Sequence, residues 1–175
     1  MHRLLLLLAG LALLAVPPAA TARPGKDPAP GFLVVRNAST DGGIAGSPVV
    51  TVVVRGFVLG HIAQEGAVEL YHLASGTGSL AGQVSGIDVS RHAVTWRGVS
   101  GTEYRGSGFR FRAVGGVWRV VVYGSGVSLY AGGEGPRITL HGSAAYPDAD
   151  GEYSLNGGPF VSLPEGVITE RLGAE

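Results

Sequence analysis

Cysteine is missing from all 175 residues. Its absence excludes a disulfide framework, a thiol nucleophile and a thiolate metal site. Lysine is nearly missing as well: of thirteen basic residues, twelve are Arg and only Lys26 is Lys. Together with an excess of Ala, Gly and Val, this is the mark of a high-GC coding bias. It leaves a basic inventory that forks onto carboxylate or phosphate in a way Lys does not. Charge of either sign is scarce, at 15%, and balances to a formal net charge of zero. No whole-molecule field therefore draws the chain to nucleic acid or to an anionic membrane. No window of ten or more residues holds a 3.6-residue period free of glycine, so helix is not expected. Beyond the N-terminus no apolar run reaches the ~20 residues a membrane-spanning helix requires.

What the chain has instead is glycine, 30 residues of it, set among alternating and β-branched runs. Its N-terminus has the order of a secretory signal peptide over residues 1–22: Met1-His2-Arg3, an apolar stretch at 4–16, then Ala20-Thr21-Ala22 as an A-x-A cleavage site. Residues 23–31 hold three prolines in nine positions and read as a linker. Residues 32–175 are then one exported domain, large enough to be stabilised by its core without disulfides.

The plan of that domain is clearest over residues 108–122. Gly115-Gly116 separates Phe109-Arg-Phe-Arg-Ala-Val from Val117-Trp-Arg-Val-Val-Val, which predicts a two-residue hairpin. Such a turn sets Val114 opposite Val117 and Phe111 opposite Val120. It puts Phe109, Phe111, Ala113, Trp118, Val120 and Val122 on one face and Arg110, Arg112 and Arg119 on the other. Further strands are expected over 32–36, 49–55, 58–62, 68–70, 87–89, 93–97, 127–131, 138–140 and 152–155. Turns are expected at 64–66, 124–126, 132–136, 147–151 and 156–159, and Gly/Ser-rich loops at 74–85 and 98–107. A weak repeat relates Val52-Val53-Val54-Arg55-Gly56 to Val120-Val121-Val122-Tyr123-Gly124, each followed by Glu-Gly and then His. The fold class is all-β: an antiparallel β-sandwich or closed barrel built from hairpins, with the repeat suggesting two similar halves.

Arg105-Gly-Ser-Gly-Phe-Arg-Phe-Arg112, the Gly115-Gly116 pair, Gly124-Ser-Gly-Val-Ser-Leu129 and Val54-Arg-Gly-Phe57 together resemble a pattern in uncharacterised small exported proteins of high-GC bacteria. The resemblance spans most of the chain after the linker. It implies export and an all-β domain, and it transfers no activity.

Signals for chemistry are sparse. There is no Gly-x-Ser-x-Gly elbow and no Ser/His/Asp set linked by spacing. Gly124-x-Gly126 lacks the third glycine and the helix that dinucleotide binding needs. His61, His72, His92 and His141 are not at metal-ligand spacing, so no metal and no cofactor is expected. Asp148-Ala-Asp150-Gly151 reads as a turn rather than a calcium loop. Trp96, Tyr104, Tyr130, Tyr146 and Tyr153 read as core and rim residues, with a sugar-stacking platform as the alternative. The leading candidate site is an anion patch at Arg110, Arg112 and Arg119. Two like charges ~6 Å apart in water repel by only ~0.7 kcal/mol. Burying the five large apolar side chains opposite contributes roughly 8–15 kcal/mol, so the fold tolerates the patch without a ligand.

The expected function is thus a secreted, non-catalytic extracellular module, structural or interacting, whose partner is an anionic cell-envelope polymer or a protein. The alternative is a small extracellular hydrolase or carbohydrate-active protein with convergent carboxylates.

Overall fold

The structure, a computed structural model, describes residues 30–39, 47–74, 80–141, 151–164 and 166–173. The expected signal peptide, Tyr146 and the Asp148-Ala-Asp150 segment lie outside them. Pro30 and Gly31, assigned to the linker by sequence, already belong to the first strand.

The described residues form nine strands, all paired antiparallel: β1 (Pro30–Ala38), β2 (Val50–Ala74), β3 (Leu80–Ser85), β4 (Ser90–Trp96), β5 (Val99–Gly124), β6 (Val127–His141), β7 (Glu152–Leu155), β8 (Val161–Ser162) and β9 (Val167–Arg171). They make one sheet in the order β3-β5-β2-β6-β1-β7-β8, with β4 on β5 and β9 on β6. The all-β antiparallel class holds. The sheet is open, which corrects the closed barrel; a sandwich-like arrangement is compatible with it.

Gly115-Gly116 does not turn the chain. Residues 109–122 run unbroken along β2, from Ile62↔Phe109 to Val50↔Val122. Between Phe57↔Val114 and Arg55↔Val117, the two glycines face the single residue Gly56, which is a β-bulge. Both have positive φ, 74° and 76°, so glycine is required here as it would be in a hairpin. A bulge also switches the phase of alternation. Phe109, Phe111 and Ala113 are buried before it, and Trp118, Val120 and Val122 after it. Trp118 Nε1 donates back to the Gly115 carbonyl and fastens the bulge.

The same device recurs in β6. Val54 faces Gly135 and Pro136, between Val53↔Arg137 and Arg55↔Glu134, and burial shifts from Val127, Leu129 and Ala131 to Ile138 and Leu140. The expected turns at 64–66 and 132–136 are therefore irregularities inside long strands. Likewise the expected loops contain strand: residues 99–107 are the first part of β5, and 80–85 are β3. A true two-residue hairpin turn lies at Arg97-Gly98 (φ 48° and 81°), joining β4 to β5 at Trp96↔Val99. The small hairpin at 156–159 is present, with β7 paired to β8.

These long strands coil. Val68 faces Tyr104 on one flank and Val122 on the other. Eighteen residues of extended chain cover ~60 Å, yet those two partners stand about two strand spacings apart, ~10 Å. β5 must curl round so that its end returns to the far side of β2. The two segments of the sequence repeat are thereby neighbours, Val52↔Val120, rather than separate halves. Coiling encloses one apolar core drawn from β1, β2, β5 and β6, with Phe109, Leu33, Ile62 and Ile138 fully buried.

Candidate functional site

Alternation along β1, β6, β2, β5 and β3 leaves one outward face whose residues line up in rows across the strands. One row runs Phe32, Gly132, Phe57, Val114. The next runs Val34, Tyr130, Leu59, Arg112, Gln83. A third holds Ser128, His61, Arg110 and Ser85. Phe32, Leu59 and Tyr130 are 37–41% exposed, which is unusual for large apolar groups in the middle of a sheet. The Phe32 and Tyr130 rings are nearly parallel (15°) with centroids 6.2 Å apart, and Phe57 is 5.1 Å from Tyr130. A Cβ on Gly132 would lie 2.6 Å from Phe32 Cδ1 and 2.9 Å from Phe57 Cζ. The two phenyl rings therefore close over that glycine, Phe32 nearly parallel to Tyr130 and Phe57 tilted 60° to it.

Where this face meets β3 and β4 there is a cleft of about 800 Å³, bordered by Leu59, Gln83, Arg91, Tyr104, Arg110 and Arg112. Arg110 and Arg112 are placed together as the sequence predicts, since strand residues i and i+2 share a face. Arg91 joins them from β4, its guanidinium 5.8 Å from the centre of the Tyr104 ring. Among the described residues none of the three has a carboxylate within ion-pair distance; the ion pairs found are Arg55–Glu134, Arg105–Glu103 and Arg119–Glu69. Leu59 and Gly60 border both this cleft and a shallower hollow of about 360 Å³ that reaches Tyr130 and Arg36. The cationic cleft and the aromatic surface are thus continuous.

Arg119 is elsewhere, because β5 runs straight on past the glycine pair instead of turning back. It faces Val53 on one side and Tyr71 on the other. Its guanidinium packs 4.5 Å from the Trp96 ring and 5.1 Å from Tyr71, and Nη1 is 3.7 Å from Glu69 Oε2. Glu69 is engaged further: it accepts from the Tyr71 hydroxyl at 2.8 Å and from Tyr123 at 3.3 Å. Burial first, then the Glu69 hydrogen bond and charge, drive the Tyr71 phenol far above its usual value. Burial, with Glu69 again adding, pushes Tyr123 up to about 12.

Carboxylates do converge on this second face. Glu69 and Glu103 are direct cross-strand partners, a juxtaposition that only the β2–β5 register reveals. Glu103 is 5% exposed and bonded to Arg105 Nε at 2.7 Å. The pair stands side by side in one sheet, with each member committed to its own cation, rather than facing across a cleft as glycoside hydrolysis requires.

The four histidines are dispersed. His61 is on the outward face, and His72 stacks on Trp118 at 4.6 Å with a buried, unpartnered Nε2. His92 lies 3.2 Å from Ser90 Oγ, and His141 is held below its usual pKa by burial at the end of β6. Among the described residues no group of three or more His, Cys, Asp or Glu could hold a metal ion. Sequence reading named Tyr130 among aromatics that could stack on sugars, and missed Arg91, Leu59 and the Phe32 and Phe57 rings beside Tyr130. The Arg97-Gly98 turn carried a signal for Arg91, since a two-residue hairpin there sets it opposite Tyr104. The aromatic cluster depends on pairing β1, β6 and β2, which no local pattern encodes. The chain matches no family model, and neither a curated protein nor a solved structure is significantly similar to it.

Proposed function

We propose that this is a secreted, non-catalytic β module that binds an anionic partner in the cleft bordered by Arg91, Arg110 and Arg112. One observation carries the reading: three arginines line one cleft with no carboxylate at ion-pair distance among the described residues, while Arg119 and Arg105 are paired. Guanidinium forks offer two parallel donors to a carboxylate or phosphate, and a cleft strengthens them by excluding part of the solvent. The partner suits an exported protein if it is an anionic envelope polymer. The engagement of Glu69 and Glu103 by Arg, Tyr and each other's strand favours a structural part for them over acid–base work.

The reading is tested by binding to an anionic polymer over a salt series. Arg110→Ala and Arg112→Ala should each weaken binding about tenfold or more, in line with ~1.5–3 kcal/mol for a hydrogen bond to a charged group, and leave the thermal midpoint in place. Arg119→Ala should do the reverse, lowering the midpoint with binding unchanged. Salt-independent binding, or equal loss of affinity in all three variants, would sink the assignment.

A further inference from the structure

We infer that the anionic partner is an acidic glycan, a uronic-acid polymer whose carboxylates meet Arg110 and Arg112 and whose sugar rings lie on Tyr130, Phe32 and Phe57. This rests on the binding reading above and adds the chemistry of the ligand's uncharged part. A polyphosphate would satisfy the guanidinium groups and leave the aromatic surface without a use. A uronic-acid chain carries both features in each unit: a carboxylate, and a ring whose C–H bonds present a weakly positive face to the negative face of an aromatic ring.

The arrangement fits such a chain in three respects. Tyr130 and Arg112 stand in one row on either side of Leu59. Two strand spacings separate them, ~10 Å, so a polymer lying across the strands reaches the aromatic and the cationic parts together. Continuity is provided by Leu59 and Gly60, which border both the cleft and the hollow. Ring orientation is the third respect. Phe32 and Tyr130 are nearly parallel and over a third exposed, with Phe57 tilted 60° beside them. They offer faces for stacking.

The protein is titrated with polygalacturonate, inorganic polyphosphate, dextran and phosphatidylserine vesicles. The inference predicts that polygalacturonate binds more tightly than polyphosphate at equal charge. It also predicts that Tyr130→Ala weakens polygalacturonate binding by roughly 2- to 12-fold, the worth of one aromatic contact, without changing polyphosphate binding. Phe32→Ala gives an independent reading at a second outward ring, and Arg112→Ala should weaken both polyanions. Should both aromatic variants bind polygalacturonate like the parent, or should polyphosphate or vesicles bind as well as the glycan, the glycan assignment is overturned while the anion site stands. Binding of dextran as tight as polygalacturonate would show that charge is not read. Failure of every polyanion to bind would overturn both readings.

Discussion

Burial and the carboxylate of Glu69 keep the Tyr71 and Tyr123 phenols protonated well into alkali. In the unfolded chain these groups ionise near pH 10, so above that pH the native state binds more protons than the unfolded one. The stability they contribute is complete below pH 10 and is lost as pH rises toward about 12, the folded value of Tyr123. The thermal midpoint should therefore fall over that window, and the part of the phenolate absorbance that Tyr71 and Tyr123 contribute should rise together with unfolding rather than before it. Tyr123→Phe removes one of the two groups and should make the fall shallower. An equally steep fall in that variant would place the alkaline sensitivity elsewhere. Arg119 completes this cluster, and its packing against Trp96 and Tyr71 is why it is not free to serve a ligand.

Among the elements, β2 keeps one phase of alternation from Val50 to Leu70, while β5 and β6 each change phase at a glycine bulge beside it. The faces were legible in sequence for this reason: a two-residue hairpin and a one-residue bulge both shift parity by one. Phe111 and Trp118 are therefore assigned to the core under either reading, whereas the hairpin and the bulge send the chain in opposite directions. Positive φ at Gly115 and Gly116 serves both equally. Local pattern settles the burial of β5 and leaves its path open; the pairing of Val120 with both Val52 and Leu70 decides the path, and those residues are far apart in sequence. The bulges also concentrate close backbone contact. A Cβ on Gly56 would lie 2.2 Å from the Gly132 carbonyl oxygen and 2.8 Å from Gly133 Cα. Backbone cannot swing aside, so Gly56→Ala should cost about 3 kcal/mol or more, a fall of roughly 6–12 °C in the thermal midpoint. Gly98→Ala has open space around its Cβ and carries only the left-handed conformation at φ 81°, a cost of ~1–2 kcal/mol. Comparable midpoints for the two variants would contradict the packing at Gly56.

Over the whole molecule, coiling of the long strands separates two outward faces of different character. On one, Glu69, Glu103, Arg105, Arg119 and the two tyrosines are engaged with one another by hydrogen bonds and ion pairs. On the other, Arg110 and Arg112 stand beside exposed aromatics and border a cleft that Arg91 reaches from its place against Tyr104 on β4. Half of the candidate site was legible, because Arg110 and Arg112 are two residues apart on a strand. The other half was not: Tyr130, Leu59 and Arg112 become neighbours only when β6, β2 and β5 lie side by side. The most direct test of this division is to map backbone amide shifts by nuclear magnetic resonance while adding an oligogalacturonate at low salt. Shifts should gather at Leu59, Arg110, Arg112, Ser128 and Tyr130, shrink as salt is raised, and spare Glu69, Tyr71 and Arg119. Shifts centred on Glu69, Tyr71 and Glu103 would contradict the account and return the search to the paired carboxylates.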